Sequence, residues 1–242
     1  MARTARTDTT VLALPDICRR WLGTDAADRS RAVHKQAIAV DLRWWNTALS
    51  ESGAPGDPLQ IDNAQSGQVL LTRRQVFTAA ADLSTSEAVW RLLWLSMAWG
   101  TGSRRRLVHR RMRTVAADPH RYVEVLAEAA DCSRTDPGTA YALLYPDNRT
   151  RIPFLGPAFF TKFLYFAGAG NPAHPSLILD SRVATALHRA GWTSLRSGGR
   201  WPADTYQSYT ALLARWATEQ SASTSRTITS DVLERWLFDH GK

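Results

Sequence analysis

The 242-residue chain predicts a mainly α-helical fold, all-α in class, built from many short helices. Three observations predict it. Apolar residues recur at helical spacing through most of the chain. The segments that carry them are bounded by Asp, Ser or Thr on one side and by Gly or Pro on the other. Strand-like alternation is scarce, confined to the neighbourhoods of residues 68–71 and 176–179.

Taken in order, residues 1–10 read as a loose polar tail. From 11 to 50, apolar and basic residues alternate at helical spacing, and Ile38, Leu42, Trp45 and Leu49 form one stripe. Gly53, Pro55, Gly56, Pro58 and Gly67 predict a long loop over 51–67, after which Thr72 or Thr78 can cap the next element. Ser84-Thr85-Ser86-Glu87 opens a strongly apolar helix over 86–99, ended by Gly100 and Gly102. Asp118-Pro119 starts a helix over 119–131. Asp136-Pro137-Gly138 breaks the chain, and a short helix runs on to Tyr145-Pro146. A helix over 181–190 ends at Gly191, and Gly198-Gly199 with Pro202 form a second loop. Two amphipathic helices, 204–219 and 230–238, complete the chain, with Trp216 and Trp236 on their apolar faces.

Composition bounds the function. A hydrophobic content of 44% and a charged content of 21% are those of a folded globular chain. Net charge is +8 and the pI about 10.1, a field that attracts polyanions, nucleic acid first among them. The densest basic stretch is Arg104-Arg105-Arg106, followed by Arg110, Arg111 and Arg113. The two cysteines, Cys18 and Cys132, form no CxxC, which excludes a four-cysteine cluster or zinc ribbon within the chain. No metal or other cofactor is expected. The N-terminal stretch MARTARTDTT has no apolar core, and the apolar run at 92–99 is too short to span a bilayer. A monomer in the cytoplasm, with no membrane partner, is the expectation.

Ten tryptophans are present, five of them directly after an arginine, at Trp21, Trp44, Trp201, Trp216 and Trp236. Neighbours on a helix point about 100° apart, so such pairs do not stack on themselves. The expected arrangement turns the indole inward and the guanidinium to solvent.

One segment stands apart. Of 30 basic residues only Lys35, Lys162 and Lys242 are lysine, and Lys162 lies in the most aromatic helix of the chain. Arginine stays protonated, whereas a buried lysine can lose its proton and attack carbon. Ala158, Phe159, Tyr165 and Phe166 are its helical neighbours, with no acid among them. Before it, Ile152-Pro153-Phe154-Leu155-Gly156-Pro157 predicts a tight turn into a helix whose first N–H groups, near Ala158 to Phe160, can face a phosphate. Asp180 follows 18 residues after Lys162, placed to cap the helix that starts at Ser181 and free to face a cleft as well.

This segment resembles the helix–hairpin–helix DNA glycosylase superfamily, closest to the bacterial 8-oxoguanine DNA glycosylase-like proteins. Ile152-Pro153-Phe154-Leu155-Gly156 is similar to the hairpin, with Phe154 where the first glycine is usual. Leu179-Asp180-Ser181-Arg182-Val183 is similar to the aspartate motif. The resemblance implies one two-lobed helical domain over 1–242, with the hairpin element at 152–170. It implies a base-excision-repair enzyme acting on double-stranded DNA that carries a damaged or modified base. Lys162 would be the nucleophile of a Schiff-base lyase, and Asp180 the carboxylate that stabilises charge on the sugar. An alignment anchored on Thr161 would instead place Phe160 at the lysine position. Arg151, Phe154, Gly156, Arg182, Arg104, Arg105 and Arg106 are the expected DNA contacts, and Trp94, Trp99, Trp236 and Phe238 the candidates for a base pocket. A monofunctional glycosylase and a non-catalytic DNA-binding module are the alternatives.

Overall fold

The computed structural model describes residues 8–102, 105–224 and 226–242. The tail expected over residues 1–7, together with Ser103, Arg104 and Ser225, lies outside the described residues. The fold is helical with one small sheet, in agreement with the predicted class.

A 3-10 turn at Thr9–Val11 is capped by Asp8, and α1 (Asp16–Leu22) follows. Ala37–Asp41 is then a strand, β1, and only from Leu42 does the chain turn helical, as α2 (Leu42–Glu51). The stripe predicted from Ile38 therefore splits. Leu42, Trp45 and Leu49 form the buried face of α2, while Ile38 belongs to the strand. The boundary is chemical: the Asp41 side chain accepts the Trp44 N–H and caps the helix, and β-branched Ile38 and Val40 suit a strand. β2 (Gln68–Thr72), at one predicted strand position, pairs antiparallel with β1, Ala37 facing Thr72 and Asp41 facing Gln68.

The other predicted strand, 176–179, joins no sheet. Tyrosine and threonine hydroxyls take up its backbone groups instead. Leu177 exchanges both its groups with the Tyr206 hydroxyl, Ile178 O accepts from Tyr209, and Leu179 N–H donates to Thr161.

Thr72 and Gln75 form a reciprocal cap on α3 (Arg73–Ala79). Thr85 caps α4 (Ser86–Thr101), which runs through Gly100 and stops at Gly102, φ +54°. An unpredicted helix, α5 (Val108–Ala117), then buries Val108, Arg111, Met112 and Val115, so an arginine takes a place in an apolar stripe. α6 (Pro119–Cys132), α7 (Pro137–Leu144), α8 (Pro157–Phe166) and α9 (Ser181–Arg189) begin where their caps and prolines predict. α10 (Ala203–Ser223) and α11 (Ser230–His240) extend past their predicted ends.

α8 is the element the rest surrounds. It packs against α3, α4, α6 and α7, and Phe160, Phe163, Leu164 and Phe166 are sealed from solvent. Each such side chain is worth roughly 1.5–3 kcal/mol of burial. α9 packs against α11, which brings the C-terminal helix to the end of the 177–180 segment. Among the described residues, no helix is long and apolar enough to cross a membrane.

Candidate active site

The hairpin lies between α7 and α8. Leu155 N–H closes onto Ile152 O at 3.1 Å. Phe154 takes the left-handed conformation, φ +67°, that a glycine would adopt without strain. The turn is thus kept with phenylalanine in the glycine position, and the residue stays 46% exposed. The donor set beyond it is smaller than predicted. Gly156 O accepts from both Phe159 N and Phe160 N, at 2.9 and 3.1 Å, so the cradle expected near 158–160 narrows to Ala158.

Thr161 ties α8 to the strand-like segment, its hydroxyl bonding Pro157 O at 2.7 Å and receiving Leu179 N–H at 3.2 Å. That tether brings Asp180 over Lys162. Lys162 Nζ donates to Ala158 O at 2.6 Å and to Asp180 Oδ2 at 3.4 Å. The acid missing from the lysine's own helix is therefore supplied by the next element. Both residues are buried, at 5% and 9% exposure, and both line one cleft. Phe160, the alternative position, is wholly buried against Tyr141 at 4.8 Å and takes no part in the cleft.

The two oxygens of Asp180 divide their tasks. Oδ1 accepts Arg182 N–H at 3.0 Å and Val183 N–H at 3.2 Å, capping α9. Oδ2 is left for the lysine. Gly100 explains itself here too: a Cβ on it would lie 2.6 Å from Lys162 Cδ, so the helix carries a glycine where the lysine stem passes.

The cleft encloses about 500 Å³, within the range of small-ligand sites, and Ile38, Trp99, Gly100, Arg182 and Phe238 line it beside the pair. Arg182 is exposed, its guanidinium 4.7 Å from the centre of the Phe238 ring. Of the four base-pocket candidates, Trp99 and Phe238 reach the cleft. The other two are corrected by the structure. Trp94 is sealed in the core, its indole N–H on Pro55 O at 2.7 Å, and Trp236 is buried against His240, with ring centres 4.0 Å apart.

The basic candidates divide as well. Arg151 Nε is held by Leu143 O at 3.2 Å. Arg105 is paired with Asp41 at 2.8 Å and stacked on Trp44 at 4.4 Å, so its charge is already matched. Arg106 is exposed and lines a second hollow beside the cleft, and Arg104 lies outside the described residues. Sequence reasoning passed over Ile38, Gly100 and the individual position of Arg111. Only the last had a signal, a basic residue on the apolar stripe of an amphipathic helix. Among the described residues, no group of three or more His, Cys, Asp and Glu side chains is placed to hold a metal ion, and both cysteines are free.

A family model described as "Putative 8-oxoguanine DNA glycosylase OGG-like protein" matches residues 31–238, most of the chain. Comparisons with curated proteins and with solved structures find no significant match.

Proposed function

The chain belongs to the 8-oxoguanine DNA glycosylase OGG-like family, and on that premise we propose that it excises a damaged or modified base from duplex DNA, 8-oxoguanine being the first candidate. The observation that carries the chemistry is Lys162 facing Asp180 at 3.4 Å in one aromatic-lined cleft. The base must leave the stack to reach such a site, at a cost of a few kcal/mol. Trp99 and Phe238 offer the extruded base aromatic surfaces.

In this reading Lys162 Nζ attacks C1′ as the C1′–N bond breaks, and the bonding pair leaves with the base. The proton given up by the lysine ammonium ends on that base. The amine nitrogen is then bonded to C1′ and carries the positive charge. Opening of the sugar ring moves a proton to O4′ and leaves a Schiff base, from which strand cleavage can follow. Asp180 Oδ2 lies where positive charge develops on the sugar, and its position is fixed beforehand because Oδ1 is tied to the α9 N-terminus. Both residues stand on ordered elements rather than on free loops, which suits a preorganised site.

The test is borohydride trapping on duplexes carrying 8-oxoguanine and a panel of other lesions. The wild type should form a covalent adduct that Lys162→Gln does not form. Trapping retained in that variant removes Lys162 as nucleophile. Base release that survives Lys162→Gln but not Asp180→Asn marks a monofunctional glycosylase. Absence of an abasic product from every lesion leaves a DNA-binding module.

A further inference from the structure

Beside the cleft, across Gly100 and Thr101, lies a second hollow of about 330 Å³ lined also by Arg106, Leu107, Arg111 and Phe159. Arg111 is the unusual member. It is only 6% exposed, yet among the described residues no carboxylate pairs with it. Among the described residues its hydrogen bonds go to main-chain oxygens alone, Nε to Phe154 O at 2.8 Å and Nη1 to Arg106 O at 3.3 Å. The guanidinium carbon lies over the Phe159 ring, 3.8 Å from its centre. Burial without a compensating acid pushes its pKa down to about 10, so it is charged at neutral pH.

A desolvated cation is costly to keep unless something matches it. Carbonyl oxygens meet part of its hydrogen-bonding need but supply no net negative charge. The described lining of the hollow holds two arginines and no acid. It also adjoins the hairpin, where the helix start offers Ala158 N–H alone of the three donors expected. We propose that Arg111 and this hollow form a binding site for a phosphodiester of the DNA backbone, the one flanking the nucleotide whose sugar enters the Lys162 cleft. This rests on the glycosylase reading only for the identity of that nucleotide. A phosphate fits better than a base here. The aromatic walls that would stack a base, Trp99 and Phe238, line the other cavity, and a bidentate guanidinium is matched to phosphate oxygens.

The experiment is the salt dependence of binding to a duplex with a stable tetrahydrofuran abasic site, for the wild type, Arg111→Gln and Arg111→Lys. Each phosphate neutralised contributes about one unit to the slope of log K against log salt. Arg111→Gln should weaken binding and flatten that slope by about one, whereas Arg111→Lys, which keeps the charge, should hold it. A folded Arg111→Gln protein with the wild-type slope overturns the proposal, because a purely structural arginine predicts that result. Equal flattening in Arg111→Lys overturns it too. Should the glutamine variant fail to fold, single methylphosphonate replacements around the abasic site decide. One of them must flatten the wild-type slope by about one, and the proposal falls if none does. A flattened slope with no base release from any lesion supports the phosphate site and counts against the glycosylase reading alone.

Discussion

Lys162–Asp180 and Arg73–Glu234 are both buried ion pairs, and both have Trp99 as a neighbour. Arg73 and Glu234 are sealed, at 0% exposure each and 2.7 Å apart. Arg73 also donates to the Tyr165 hydroxyl, which bonds Asp231, which in turn takes Arg29 in a forked pair. That network fastens α3, α8 and α11 together. Lys162 and Asp180 stand farther apart, at 3.4 Å, and border open space. Burial alone therefore does not mark a reactive pair. A sealed pair can only fasten elements, whereas a pair at a cavity wall can exchange its partner for a substrate.

The largest effect should come from the open pair. Asp180→Asn keeps an N-cap, since asparagine caps as well as aspartate, but removes the charge. Base release should fall about 10²–10³-fold or more while stability falls by less than in the sealed pair, because Lys162 keeps Ala158 O and borders the cleft, checked by single-turnover kinetics and melting on one preparation. The sealed pair should answer in the opposite way. Glu234→Gln leaves Arg73 buried without its partner and should cost about 3–5 kcal/mol in denaturant unfolding. Should the two variants show the same balance of lost activity and lost stability, the contrast between the pairs is broken.

A third buried group sharpens the contrast, because it is kept neutral rather than paired. The His174 ring occupies the space that a Cβ on Gly168 would need, with Nε2 2.9 Å from Leu164 O. Burial lowers its pKa from 6.5 to about 4. The folded state thus binds fewer protons than the unfolded chain between those values. Its contribution is complete above pH 6.5 and is lost as pH falls toward 4, about 3 kcal/mol in all. Melting against pH should show that limb, and His174→Gln should flatten it. The smallest effect tests the fit of the lysine. Gly100→Ala should favour the helix by up to about 1 kcal/mol yet displace the Lys162 stem. Activity should fall roughly 10²-fold without loss of stability. Unchanged kinetics in that variant would show that the stem has room to spare.

Much of this was legible in the chain, and the limits have physical causes. Helix starts were readable where a cap or proline acts locally, as at Thr85, Asp118-Pro119 and Asp136-Pro137. β1 was hidden because Ile38 and Leu42 also satisfy a helical period, and only the Asp41 cap separates them. α5 was obscured by its arginines, which read as a charged run until Arg111 is seen to turn inward. Lys162 could be picked out because a lysine is rare in so aromatic a helix, and Asp180 because it stands at a helix start within a motif similar to that of the resembled family. Trp94 and Trp99 could not be told apart, being two aromatic residues of one apolar helix. Which of them meets a cavity depends on β1 and α11, distant in sequence.

The division of labour within Asp180 has a consequence for how such a protein could change over generations. One oxygen holds the helix and the other faces the lysine, so the fold asks only for a capping side chain while the proposed chemistry asks for a charge. Asparagine meets the first demand without the second. Under the proposed function, a single codon change would then leave a descendant that still folds and grips DNA but leaves the base attached, a marker of lesions in place of a remover of them.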